Sequence, residues 1–155
     1  MARYVRIVSL VPSLTQTLFD LGLTTEEIVG RTPWCIHPAD MASKVKIVGG
    51  TKTPNMNKIR SLKPDLIVMD KEENPIEIYR TFLDEGFTIF VSEVESPIDV
   101  PRMLRKLGDA CNKSENGEKL KISKRIVMSG ENLIDAQPNF NNQSNQPTVS
   151  FTLDR

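Results

Sequence analysis

Five short apolar runs punctuate the first 112 residues, each followed by a polar turn carrying Pro or Gly and then by an amphipathic stretch. The runs are Val5 to Val11, Glu27 to Gly30, Val45 to Val48, Leu66 to Met69 and Phe87 to Val91, rich enough in β-branched and aromatic residues to be strands. Helix punctuation fills the gaps. Gly22 and Gly86 stand where C-caps belong, and Thr53-Pro54, Asn74-Pro75 and Ser96-Pro97 each set a capping residue before a Pro at a first helical position. Strand alternating with helix predicts an α/β fold: a doubly wound, mainly parallel sheet with right-handed crossovers and helices on both faces. Such sheets meet ligands at the carboxyl ends of their strands. Function is therefore expected in the turns at Pro12-Ser13, Arg31 to Pro38, Gly49 to Thr53 and Asp70 to Asn74.

Those turns, read with their flanks, carry a resemblance. Arg6 to Thr15 (RIVSLVPSLT), Val29 to Pro38 (VGRTPWCIHP), Val48 to Asn55 (VGGTKTPN) and Leu62 to Val68 (LKPDLIV) resemble, in order and spacing, the solute-binding proteins of ABC importers for cobalamin and metal chelates. Lys71-Glu72-Glu73-Asn74 resembles the branch known as helical-backbone metal receptors. The likeness spans residues 4–112. It implies one lobe of a two-lobe periplasmic-binding-protein-like fold, whose members hold the ligand in a cleft between lobes joined by a long helix. It also implies docking on an importer permease through a surface carboxylate on each lobe. In the cobalamin pattern the first such carboxylate precedes the Ile of the helix leading to Leu-Lys-Pro-Asp; here Asn57 stands before Ile59 in Asn55-Met56-Asn57-Lys58-Ile59, which counts against docking.

The rest of the chain departs from that pattern. Ile126 to Pro138 and Pro147 to Phe151 resemble a short piece of SecD, a membrane subunit that assists protein export. Asn112 to Lys124, rich in Lys, Glu, Ser and Asn, reads as a linker or helix end. The expected division is a solute-binding lobe over 4–112, a connection over 113–124 and a SecD-like tail over 125–155. Pro138, Pro147 and the Asn/Gln run from Asn139 to Gln146 point to an irregular or short β tail. A fragment of an export component and a nonfunctional joined fragment are the rival readings.

Composition narrows the classes. Twenty basic and twenty acidic residues cancel, and without a basic stripe nucleic acid is not an expected partner. No run approaches the ~18 apolar residues of a spanning helix. The N-terminus enters its first strand by about residue 4 without an apolar signal core, and two distant cysteines, Cys35 and Cys111, give no disulfide framework. Both features lead to an expected cytoplasmic location.

Single residues divide between a ligand role and a structural one. Trp34, the only Trp, lies in a loop at a strand's carboxyl end, where its ring could stack on a corrin or chelate or could cap the lobe's own core. Pro12 and Ser13 open the first helix facing the cleft side, with Ser13 also a candidate N-cap. Gly50 and Thr51 are ligand-facing or a conformational turn; the G-x-x-x-x-G-K-[ST] spacing of a phosphate loop is missing. Asn74 is both a helix cap and a candidate ligand contact, beside Glu72 and Glu73 in a solvated turn. Cys35 and His37 are two metal-type donors, too few for a site. The expected ligand-binding set is Pro12, Ser13, Trp34, Gly50, Thr51 and Asn74, with a cobalamin or metal-chelate ligand, no catalytic residue and no metal bound directly by the protein.

Overall fold

The computed structural model describes residues 5–120, 133–140 and 147–153. The chain divides into two compact units, Met1–Lys121 and Ile122–Arg155. In the first, β1 (Ile7–Ser9), α1 (Pro12–Asp20), β2 (Ile28–Arg31), α2 (Ala39–Ala42), α3 (Met56–Leu62), β3 (Leu66–Asp70), α4 (Ile76–Asp84), β4 (Ile89–Ser92) and α5 (Val100–Ala110) follow one another. A further helix, α6, covers residues 114–120. The four strands pair in parallel in the order β2-β1-β3-β4.

This order follows from two-sided burial. Successive strand residues point to opposite faces. Ile7, Leu66 and Val68 join Leu14, Leu18 and Phe19 of α1 and Leu107 of α5 in one core cluster. Val8, Ile67 and Met69 join Ile59 and Leu62 of α3 and Phe82 of α4 in the other. Right-handed crossovers require it: the chain steps from β1 out to β2, then back past β1 to β3, so α1 and α3 land on opposite faces. Gly30 lets β2 pass under α3, since a Cβ there would lie 2.8 Å from Val48 Cγ1 and 3.1 Å from Leu62 Cδ1.

The expected caps hold at the helix ends. Gly22 and Gly86 take φ of +87° and +80°. The amides after them, Leu23 and Phe87, reach back to the carbonyls of Leu18 (3.2 Å) and Phe82 (3.0 Å), closing α1 and α4. Pro97 opens a 3-10 turn whose Asp99 accepts from the Ser96 amide at 3.1 Å. The other two caps differ. Asn55, not Thr53, caps α3, accepting from Lys58 N at 2.9 Å, because the Thr53 carbonyl is used to close a tight loop onto Gly50 N (3.1 Å). Pro75 occupies the N-cap of α4, and the Asn74 side chain goes elsewhere.

The third apolar run is not a full strand. It makes one parallel bridge between Ile47 and Arg31, because it is hemmed between the end of α2 and the chain reversal at Gly49, φ +104°. The stretch after α5 continues on the lobe as far as it is described. Asn116 Nδ2 donates to Leu21 O at 2.8 Å, Lys113 pairs with Glu27, and Gly117 lies so close to α5 that a Cβ would sit 3.0 Å from Leu104 O. Among the described residues no helix is long and apolar enough to cross a membrane.

In the second unit β5 (Leu133–Phe140) and β6 (Pro147–Leu153) form an antiparallel pair, from Leu133 opposite Leu153 to Phe140 opposite Pro147. The tail is thus of the short β kind. A two-stranded ladder leaves many of its amides unpaired, which tolerates Pro138, and Pro147 is the first residue of its strand. Most of the Asn/Gln run lies outside the described residues.

The first compact unit closes at Lys121, and among the described residues its two core clusters are built within residues 5–120. A chain ending at Lys121 is therefore expected to melt as the full chain does; a stability loss well beyond ~1 to 2 kcal/mol in chemical denaturation would show that the tail is part of the lobe's fold.

Candidate functional site

In the order β2-β1-β3-β4 the chain leaves β1 in one direction and β3 lies on the other side, so the switch point falls between the carboxyl ends of β1 and β3. One side chain spans that gap. Asn74, 6% exposed, accepts from Asp70 N at 2.8 Å through Oδ1 and donates through Nδ2 to Thr51 O at 2.9 Å and Leu10 O at 3.4 Å. It thereby joins the ends of β1 and β3 to the loop after residue 48. The Asp70 carboxylate holds the same turn from inside, accepting from the amides of Glu72 (2.9 Å) and Glu73 (3.2 Å). Lys52 Nζ crosses to Glu72 O at 3.1 Å. Glu93 and Glu95 flank the Lys71 ammonium, and the hydrogen bond with Glu93 raises the Lys71 pKa and lowers that of Glu93.

The loop over Gly49 to Pro54 owes its shape to Gly49. A Cβ there would meet Asn55 N at 2.5 Å, at a φ that L side chains rarely adopt. Gly50 and Thr51 are half-buried behind it. The strict conformational demand falls on Gly49, which leaves Gly50 and Thr51 at the loop's rim.

After β2 the chain makes a tight turn, Cys35 N returning to Thr32 O at 3.2 Å with Pro33 second in the turn. Trp34 projects from it with 66% of its surface exposed, so it does not cap the lobe's core. Ile36, two residues on, is also exposed. Cys35 turns the other way: it is buried, with its Sγ 3.1 Å from the hydroxyls of Thr15 and Thr32. His37 is exposed, so the two donors of the C-x-H pair do not face one point. Cys111, the other free thiol, is buried in the lobe, and burial pushes it up to about 12.

Ser13 is not the cap of α1. Val11 holds that place, Pro12 is the first helical residue and Ser13 the exposed second, because a Pro already supplies the fixed φ of a first helical position. Pro12 and Ser13 thus stand at the open edge beside the Asn74 bridge. Beyond β3, a cavity of about 210 Å³ is lined by Met69, Asp70, Lys71, Asn74, Ile76, Tyr79 and Val91. Its apolar members Ile76, Tyr79 and Val91 escaped the sequence reading, and the only signal for them was position, just past Asn74-Pro75 and at the end of the fifth apolar run. On α3, exposed Asn57 accepts from Arg60 Nη1 at 2.9 Å, while Arg60 also grips Glu85 with two nitrogens.

A family model described as periplasmic binding protein matches residues 7–123. A second, the P1 head subdomain of SecDF, matches residues 106–155. The vitamin B12-binding protein of Pectobacterium carotovorum is 27% identical over 114 residues, 74% of this chain and 41% of that protein. An uncharacterised ABC transporter substrate-binding lipoprotein of Bacillus subtilis is 28% identical over 118 residues, 74% of this chain and 37% of its own length. The crystal structure of the periplasmic vitamin B12 binding protein of Vibrio cholerae superposes with a TM-score of 0.73 at 27% identity, covering 80% of this chain and 48% of that one. The chain spans less than half the length of these relatives.

The relatives correct the expected location. One is periplasmic and one a lipoprotein, which places this group outside the cytoplasm. The expectation rested in part on the two cysteines, and two buried thiols do not report a compartment.

Replacing Asn74 by Ala would leave Asp70 N, Thr51 O and Leu10 O without their partner. The cost of such orphaned groups, about 1–3 kcal/mol each when fully buried, predicts a loss of roughly 2–4 kcal/mol in urea unfolding. A loss below ~1 kcal/mol would show that the amide does not hold the loops together.

Proposed function

We infer the function from membership: the chain belongs to the periplasmic binding protein family, and we propose that its lobe forms one wall of a binding site for cobalamin or a metal chelate. The observation that carries this is Trp34, an exposed ring on a tight turn at the carboxyl edge of a parallel sheet. A flat, rigid aromatic offers a stacking face for a planar macrocycle at small entropic cost. In this reading Pro12 and Ser13 line the floor beside it, and Gly50 and Thr51 form the opposite rim. Asn74 keeps the loops in register with its amide and offers the ligand only what capacity remains.

We read the site as a binding site: the relatives are binding proteins, and the Asp70 carboxylate is tied to the backbone amides of its own turn. Permease docking through α3 is not part of the proposal, since Asn57 is neutral and engaged by Arg60. The SecDF-like tail favours a second reading for residues 106–155 alone, that of a piece of an export subunit; the ligand site is assigned to the lobe.

A single wall covers one face of a macrocycle, whereas complete sites bury about 70–90% of their ligand. Monomeric chain is therefore expected to bind cyanocobalamin or hemin weakly, with a dissociation constant above about 100 µM. Titration should quench Trp34 fluorescence, and in equilibrium dialysis Trp34→Ala should lose the binding that remains. Submicromolar binding by a monomer in light scattering would contradict the one-wall account. The same affinity in a dimer would mean that two copies close the cleft together.

A further inference from the structure

Behind Trp34 lies a buried group of side chains to which the ligand reading gives no part. Ser9 of β1, Thr15 of α1, and Thr32 and Cys35 of the Trp34 turn are each at most 1% exposed. Thr15 Oγ1 lies 2.8 Å from Ser9 Oγ, 2.9 Å from Val11 O and 3.1 Å from Cys35 Sγ, and Cys35 Sγ lies 3.1 Å from Thr32 Oγ1.

The Thr15 hydroxyl is the donor towards Ser9 Oγ, Val11 O and Cys35 Sγ, one proton shared among three neighbours, and Ser9 Oγ also reaches Val11 O at 3.4 Å. Cys35 Sγ therefore accepts from Thr15, and between Cys35 and Thr32 either group can be the donor. The four side chains form one buried cluster. It runs from the Trp34 turn through Cys35 into the first turn of α1 and the end of β1. The turn's other anchor is Thr32 O, which accepts from Cys35 N at 3.2 Å and from Arg31 Nη1 at 3.1 Å. Pro33 and Trp34 are exposed, so what pins the ring's backbone from below is the side chain of the very next residue.

We propose that Cys35 is a positioning residue: its thiol, accepting from Thr15 and paired with Thr32, holds the Trp34 turn against α1 and so presents the ring at the site already formed for ligand. This rests on the reading of Trp34 as the stacking wall. A binding-competent turn populated most of the time spares the ligand the cost of selecting it, and apparent affinity falls in proportion to that population.

The test uses the full chain, whose single Trp makes its fluorescence a report on this turn alone. Time-resolved anisotropy of Trp34 without ligand is compared for wild type, Cys35→Ala, Cys35→Ser and Thr15→Val, with far-UV circular dichroism as the check on folding. Cys35→Ala and Thr15→Val should free the ring, seen as a larger fast anisotropy decay, and weaken cyanocobalamin or hemin binding by about tenfold. Cys35→Ser, which can still donate and accept, should recover most of both signals. A folded Cys35→Ala with wild-type anisotropy overturns the proposal, as does Cys35→Ser behaving like Cys35→Ala. Should Cys35→Ala lose its fold, Thr32→Val removes one contact of the chain and is read by the same two outcomes. Because the anisotropy arm needs no ligand, a wild type that binds neither probe sinks the ligand reading while positioning is still decided by the ring's motion.

Discussion

The carboxyl edge of the sheet depends on one buried amide. Parallel strands packed on both faces send their connections to the ends of the sheet, and at the β1/β3 switch point nothing in the ladder itself ties one connection to the next. Asn74 supplies that tie, using both ends of its amide to hold main-chain groups of Leu10, Thr51 and Asp70. Without it the strands would still pair, but the three loops at that edge would each be held only by their own turns. The hydroxyl and thiol cluster under Trp34 does the same for the fourth loop by another chemistry. The edge is thus a small set of loops, each fixed by a buried polar contact, carrying one exposed ring.

Much of this was legible in the sequence for definite reasons. Alternating β-branched runs and helix signals specify a parallel α/β sheet, and Gly22 and Gly86 mark helix ends because each takes a positive φ there. The resemblance carried by VPSLT, GRTPWCIHP and VGGT placed the loops that the fold brings to one edge. What was not legible depends on side chains meeting across the chain. Nothing local says that Asn74 would leave its helix to reach Leu10 and Thr51, or that Cys35 would turn inward to Thr15 while His37 turned out. The cap at α3 moved from Thr53 to Asn55 for a similar reason, since the Gly49 loop claimed the Thr53 carbonyl first. The Val45 to Val48 run had the composition of a strand and lacked only room to extend.

The chain joins two likenesses. The periplasmic binding protein match and the SecDF match overlap around α5 and α6, and the first compact unit closes at Lys121. Location was the point at which sequence inference misled, because the character of a folded lobe says little about where it is carried.

The central claim, that ligand meets this lobe at the carboxyl edge around Trp34, is tested most directly by amide shift mapping of the full chain titrated with cyanocobalamin and, separately, with a diamagnetic zinc porphyrin. The account predicts that at least one of them perturbs Ser13, Trp34 to His37, Gly50 to Lys52 and Lys71 to Asn74 together, leaving the amino ends of the strands unmoved. Shifts centred elsewhere, for instance in the groove lined by Arg31, Lys46 and Lys58, or none with either ligand at millimolar concentration, would contradict it.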